Sequence, residues 1–404
     1  MARRDHGSGS IYQRESDGMW IGTLEAGYYP NGGRRRITVS SKDRRTTVKK
    51  LRDKRLQLED EGAPEVSPRT TVKAWSEEWL GMIVHTARPK HYSNQASQVR
   101  KWIVPTIGHR RLEQLAPSDV RAVHKAIRDA GKKSTTARGA HRCLMSMLQA
   151  AQQEGHRVAP RVLAVVAPAP AVNDRDAVAA RDALAILAAA GERPDGVMWL
   201  LALAYGQRQA ERLGLTEGAI DLERGRIINE WQLQPLPYLD PKDKAKGFRV
   251  PDGFEARHLV NSFHLTRPKT KKGFRVFPIP DPIAVALRSW LEVAPANPWG
   301  LLFTTTDPRA GHDGPRPIND KKDREAWHDL QAAAGVAHPS GRPYHLHEAR
   351  HGLATALKEE EVDDHTITAL LGHASILTSQ GYMHVNDAAA RAAMEKISAR
   401  LQLG

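Results

Sequence analysis

Proline placement decides how this chain of 404 residues can be divided. Pro64 and Pro68 fall within Gly62 to Arg69, and Pro160, Pro168 and Pro170 within the Ala- and Val-rich run Arg157 to Arg175. Proline has no backbone N–H and clashes with the preceding turn, so neither stretch continues a long helix or a central strand. Both read as connectors, the second extended and apolar enough to lie along a domain surface. The expected division is residues 1–61, a helical segment 69–156, a linker 157–175 and a large unit 176–404. A chain of this length can fill two or three separate cores.

Residues 1–61 carry three strand-like runs, Ser10 to Gln13, Met19 to Glu25 and Arg35 to Ser40. The turn signals Ser16-Asp17-Gly18 and Pro30-Asn31-Gly32-Gly33 separate them. Trp20 and Leu24 fall on one strand face, and Gly22 between them weakens the strand. A helix from Thr46 to Leu58 follows. Residues 1–55 hold 14 Lys or Arg against 6 Asp or Glu, so +8 of the whole-chain net charge of +14 lies here. A small sheet bearing Arg34, Arg35 and Arg36 on one strand suits a DNA major groove; the plainer alternative is a solvated basic tail.

Residues 69–156 show helical periodicity over Val72 to Thr86, His91 to Val104, Pro117 to Ala130 and Ser134 to Gln153. Pro105 to Gly108 is expected to end the second of these helices, and Ser118 to cap the third. Lys132, Lys133, Arg138 and Arg142 are candidates for a phosphate-facing side, against the alternative of a solvated face. The large unit alternates helices (Asp176 to Ala190, Pro194 to Tyr205, Pro282 to Val293, Asp320 to Ala334) with strands at Gly225 to Gln232 and Arg267 to Pro280. Pro235 to His264 is long for a strand connection and reads as a surface insertion. The fold class expected is therefore multidomain: a three-stranded β-sheet plus helix, an all-α domain, and a mainly α (α+β) domain.

A net charge of +14 and a pI near 9.9 attract polyanions, nucleic acid first among them. No run of 18 apolar residues is present, and residues 1–15 lack the apolar stretch of a signal peptide, so a cytoplasmic protein is expected. Cys143 stands alone, which excludes an internal disulfide framework and a cysteine cluster for metal.

Chemistry concentrates between His345 and Tyr382. His347, Arg350, His351 and Ala354 recur at helical spacing and share one face, where two imidazoles and a guanidinium at a helix start suit an anion. Leu371-Gly372 ends a second helix, with Gly372 as its C-cap, and His373 and Tyr382 follow. Two sharp readings compete. His347-Glu348-Ala349-Arg350-His351 matches the zinc-hydrolase pattern H-E-x-x-H, in which the glutamate activates water. The alternative sets His347, Arg350, His373 and Tyr382 beside Arg208 and Glu211 (Gly206-Gln207-Arg208-Gln209-Ala210-Glu211) and Lys269 in the basic turn Lys269 to Gly273.

That second set, in that order, resembles the tyrosine recombinase (phage integrase) family, whereas the zinc reading leaves Arg208, Lys269 and Tyr382 without purpose. The resemblance implies an arm-type DNA-binding domain over 1–61, a core-binding helical domain over 69–156 and a catalytic domain over 176–404. It implies a site-specific DNA recombinase that integrates or excises a mobile element through a 3′-phosphotyrosine at Tyr382 and a Holliday junction. Arg208 and Arg350 would hold the phosphate, with His347 and His373 beside them; Lys269, or Lys271 or Lys272 in the same turn, would protonate the leaving oxygen; Glu211 would orient an arginine. No cofactor or metal is expected. The partners implied are duplex DNA at core-type and arm-type sites and three further copies in a tetramer, with a host DNA-bending protein and a directionality factor as accessory candidates. A bacterial, nucleoid-associated location follows from the same resemblance. A helix over Ala388 to Leu401 belongs either to its own domain's core or, by resemblance, on a neighbouring copy. A type IB topoisomerase shares the chemistry and is the nearest enzymatic alternative; a DNA-binding regulator with a decayed site is the non-enzymatic one.

Overall fold

Alternation in the first segment produces an antiparallel sheet in the order β1 (Ser10–Gln13), β2 (Trp20–Tyr28), β3 (Arg34–Ser41), followed by α1 (Arg44–Glu61). Gly22 strengthens this packing. A Cβ there would lie 3.1 Å from Val39 Cγ2 and 3.3 Å from Leu51 Cδ1 and Thr47 Cγ2, so glycine lets α1 lie on β2 without pushing these side chains back. Leu24 and Ala26, on the same strand face, are buried, as is Leu51 of α1.

The computed structural model describes residues 10–28, 34–61, 69–171, 176–268, 274–307, 312–372 and 387–403. The chain separates into two compact units: Met1–Ile83 with Asn94–Ala171, and Val84–Ser93 with Val172–Gly404.

The helical segment contains α2 (Val72–Ile83), α3 (Pro89–Gln98), a π-helical turn (Val99–Ile103), α4 (Val104–Ile107), α5 (Pro117–Asp129) and α6 (Ser134–Gln153). The second helix does not stop before Pro105 as expected. Val104 N–H bonds to Val99 O, which widens the turn just ahead of the proline and lets the helix continue to Ile107. Ser118 does not cap α5 either. Pro117 occupies the first helical position, Ala116 becomes the cap residue, and its N–H donates to the Asp119 carboxylate at 2.8 Å. The stretch read as an extended connector first makes one helical turn, α7 (Pro160–Leu163), with Val158 and Val162 buried. Beyond it, Ser134 Oγ donates to Ala169 O and Arg138 to Pro168 O, so the connector is tied back to α6.

Past the connector the second unit contains α8 (Ala180–Gly191), α9 (Gly196–Ala204) and α10 (Gln209–Leu213), followed by β4 (Ile220–Asp221), β5 (Arg226–Asn229), β6 (Gln232–Pro235), β7 (Tyr238–Asp240) and β8 (Asp243–Phe248). It continues through β9 (Ala256–Val260), β10 (Phe263–Thr266), β11 (Arg275–Pro278), α11 (Asp281–Val293), β12 (Thr304–Asp307) and β13 (His312–Pro317). Four helices close it: α12 (Asp320–Ala333), α13 (Leu346–Glu359), α14 (Asp364–Leu371) and α15 (Asp387–Arg400).

The region read as an insertion is a folded sheet. β9 adds to β10 and β6, while β7 and β8 form a hairpin on which Tyr238 stacks with Phe248 at 4.8 Å. Thr266 sits opposite Gln232 and Arg275 opposite Asn229, so β10 and β11 succeed one another along the β6–β5 edge rather than pairing as a hairpin. In the core of this unit, Trp199 of α9 stacks on Trp327 of α12 at 5.6 Å. Between α10 and α12, Arg212 and Asp323 make a fully buried ion pair with two oxygens at 2.7 and 2.8 Å. That pair fixes α10, and α10 carries the candidate site. Met394 and Ile397 of α15 are buried in this unit's own core, and Arg400 pairs with Glu359 and Glu360 at the end of α13.

Candidate active site

The site grows from the start of α10. Arg208 is the cap residue, and Glu211, one turn on, accepts from its backbone N–H at 2.9 Å and from its guanidinium at 2.6 Å. Gly206 has φ +54°, and a Cβ on it would lie 3.1 Å from Leu353 and 3.3 Å from the Arg350 backbone. Glycine therefore brings the two segments that bear Arg208 and Arg350 into contact. Arg350 donates to Gly206 O at 2.8 Å and to Leu371 O, while Arg208 donates to Gly372 O at 3.3 Å. Gly372 closes α14 in the left-handed conformation, as its sequence position suggests.

A third arginine completes the cluster. Arg275, on β11, donates to the Glu211 carboxylate and to Leu370 O at 2.9 Å. Glu211 is fully buried; burial alone would raise its pKa, but Arg275 and Arg208 outweigh it and hold the carboxyl below its usual range. Burial, with Arg275 and Arg208 close by, pushes Arg350 down to about 9. Three guanidinium groups against one carboxylate leave excess positive charge, and an anion would relieve it. Arg208 is the accessible member, its side chain 38% exposed; Arg350 is buried.

On α13, His347 is exposed and His351 half-buried, their rings edge to face at 4.9 Å. Lys269, Lys271, Lys272, His373 and Tyr382 lie outside the described residues. Away from the cluster, Arg34 and Arg36 are exposed on β3, each within ion-pair reach of Glu25; the side chain of Arg35 lies outside the described residues. Lys132, Lys133 and Arg142 are exposed, and half-buried Arg138 holds the connector.

Sequence reasoning missed Arg275. Its one signal is a charged residue in register with the buried Phe277 on a strand, an inward position normally apolar. Arg342 was missed too. It grips Glu348 with both terminal nitrogens at 2.7 and 2.8 Å, and the backbone N–H groups of His345 and Asp176 donate to the same carboxylate at 2.6 and 3.1 Å. The glutamate of the H-E-x-x-H pattern is thus a buried anchor with all its acceptor positions filled, which is incompatible with activating water. Among the described residues no group of three or more His, Cys, Asp or Glu is placed to hold a metal ion.

Burial would raise the Glu348 pKa, but Arg342 and the two backbone N–H groups hold it at about 2, against 4.5 for an unperturbed glutamate. A depressed carboxylate stabilises the fold above the unfolded value and loses that contribution as pH falls through the folded one. Glu348→Gln is therefore expected to cost about 3 kcal/mol at neutral pH. In urea unfolding, the gap from wild type should close progressively below pH 4.5 towards pH 2. A gap independent of pH would show that the carboxylate is not responsible.

With this geometry in place, comparison with known proteins is informative. Residues 71–127 match the phage integrase N-terminal SAM-like domain, and residues 245–389 match the phage integrase family. An integrase from Saccharopolyspora erythraea is 24% identical over 95% of this chain and 94% of its own length. A tyrosine recombinase XerC from Methylobacterium sp. (strain 4-46) is 29% identical over 80% of this chain and 86% of its own. Among solved structures, the Tn1549 transposon integrase in complex with transposon right end DNA superposes with a TM-score of 0.59 at 17% identity, covering 81% of this chain and 99% of that one. A lambda integrase tetramer bound to a Holliday junction gives 0.53 at 19%, covering 94% and 99%. The structural likenesses speak for the fold, and the sequence matches carry the class: a site-specific recombinase. The chain belongs to the tyrosine recombinase family.

Proposed function

We propose that this protein is a phage-type integrase that cuts and rejoins duplex DNA through a phosphotyrosine at Tyr382. The observation that carries the reading is the convergence of Arg208, Arg275 and Arg350 from three separate elements around one buried carboxylate and the carbonyls that end α14.

Cleaving a phosphodiester without a metal requires a nucleophile, charge neutralisation on the phosphorane and a proton for the departing oxygen. Tyr382 supplies the first, attacking phosphorus so that the 3′-phosphate becomes esterified and the 5′ oxygen leaves; the ester conserves the bond for rejoining. Arg208 and Arg350 supply the second with forked donors. Arg350 exchanges the Leu371 carbonyl for a phosphate oxygen as it engages. His347, one turn before His351, takes the phenolic proton, Lys269 or a neighbour in the same turn protonates the leaving oxygen, and His373 adds a phosphate contact. Glu211 aims Arg208. Residues 1–61 bind arm-type sites, 69–156 and 176–404 hold the core site, and four copies exchange strands pairwise through a Holliday junction, with a DNA-bending protein and a directionality factor as accessory partners inside a bacterial host.

The test is a library of nicked duplexes on which cleavage releases a short fragment and traps the adduct. Covalent complex is expected, undiminished by a metal chelator. Adduct lost to chelator and restored by zinc would overturn the reading. Relaxation of plasmids lacking recombination sites, without strand exchange, would favour the topoisomerase instead.

A further inference from the structure

We propose that Arg275 is a positioning residue of this site, holding the Glu211 carboxylate so that Arg208 is left free to turn toward a phosphate. The inference rests on the proposed strand-transfer chemistry and adds to it a residue with no assigned role. Arg275 is buried, its side chain 4% exposed, and unlike Arg350, whose hydrogen bonds go to carbonyls, it is held by the Glu211 carboxylate. What it touches is Glu211 on one side and Leu370 O, at 2.9 Å, on the other. It therefore ties β11, α10 and the last turn of α14 together at one point. The next two carbonyls along, those of Leu371 and Gly372, are the acceptors of Arg350 and Arg208. Moving the end of α14 would displace both phosphate-binding arginines.

Charge leads to the same assignment. Glu211 Oε2 accepts from the Arg208 backbone N–H and from Arg275, while Oε1 accepts from the Arg208 guanidinium. With Arg275 present, the carboxylate is shared between two cations. Without it, the whole negative charge of the fully buried Glu211 carboxylate falls on Arg208, and the guanidinium that should meet the phosphate is neutralised from behind. Stability alone gives little reason for such a pair, since buried ion pairs are often replaceable by apolar side chains of similar volume. Opposite Arg275 on the ladder lies Asn229, also buried, so the inner face of β11 and β5 is polar only at this point of contact with the cluster.

The test is a charge-balance cycle read by single-turnover cleavage of a trapping duplex, with DNA affinity measured on the same proteins. Arg275→Gln should slow covalent complex formation by roughly 30-fold or more while Kd stays within about twofold, the pattern of a loss confined to the transition state. Removing the unbalanced charge as well, in the Arg275→Gln/Glu211→Gln double variant, should recover at least about fivefold of that loss, since coupled residues do not add. Arg275→Lys, which keeps the charge and loses the fork, should fall between wild type and Arg275→Gln, and it carries the test should Arg275→Gln not fold. Wild-type rates in both Arg275→Gln and Arg275→Lys, or a double variant slower than Arg275→Gln, would overturn the assignment. Failure of wild type to form any adduct would instead strike the proposed function.

Discussion

Tyr382→Phe should bind duplex DNA with wild-type affinity and form no covalent protein–DNA complex. Only the phenolic oxygen is removed, so the basic character that draws the chain to the DNA backbone is unchanged. Deleting a nucleophile typically costs at least about 10⁴-fold in rate, enough to place residual cleavage below detection on a trapping gel. Tyrosine is a poor nucleophile at its ordinary pKa near 10, so in the proposed mechanism its reactivity would depend on the cationic cluster and on His347. Retained adduct in Tyr382→Phe would move the chemistry to another side chain.

Arginine-to-lysine changes at Arg208 and Arg350 form the second large effect. Each is expected to slow cleavage by about 10² to 10³-fold, the usual scale for removing one preorganised donor from a developing negative charge. Lysine keeps the charge but loses the fork that spans two oxygens. The two variants should differ in stability. Arg208 is partly exposed and its loss should leave the fold intact. Arg350 is buried and satisfies the carbonyls of Gly206 and Leu371, so Arg350→Lys should also lower the melting temperature. Equal melting with slow cleavage in both would mean that Arg350 does not support the fold as its contacts indicate.

Local signals were legible in the residues themselves. The Ser10–Gln13 strand, the helix Ser134–Gln153 and the Gly372 cap follow from short-range alternation, periodicity and backbone conformation, all of which lie within a few residues of each other. The Arg208 to Glu211 pair is legible for the same reason, as a one-turn spacing. Arg275 is not: its partner is 64 residues away and the pairing exists only once β11 reaches α10. Glu348 was open to misreading because H-E-x-x-H describes spacing alone, while Arg342 and the Asp176 backbone, which determine its chemistry, come from the loop before α13 and the residues that lead into α8. Pro105 deceived in the opposite sense, since a π-helical turn absorbs what a regular helix could not. The region Pro235 to His264 folds into two local hairpins, β7–β8 and β9–β10, but β7, β8 and β9 bury no side chain, so no alternating apolar face marked them as strands.

The most direct test of the account is to trap wild-type protein on a nicked duplex, digest the adduct and locate the DNA-linked residue by mass spectrometry. The account predicts a single modified peptide with the phosphodiester on Tyr382 and the DNA joined through its 3′ phosphate. Linkage to any other residue, or through a 5′ phosphate, would contradict it.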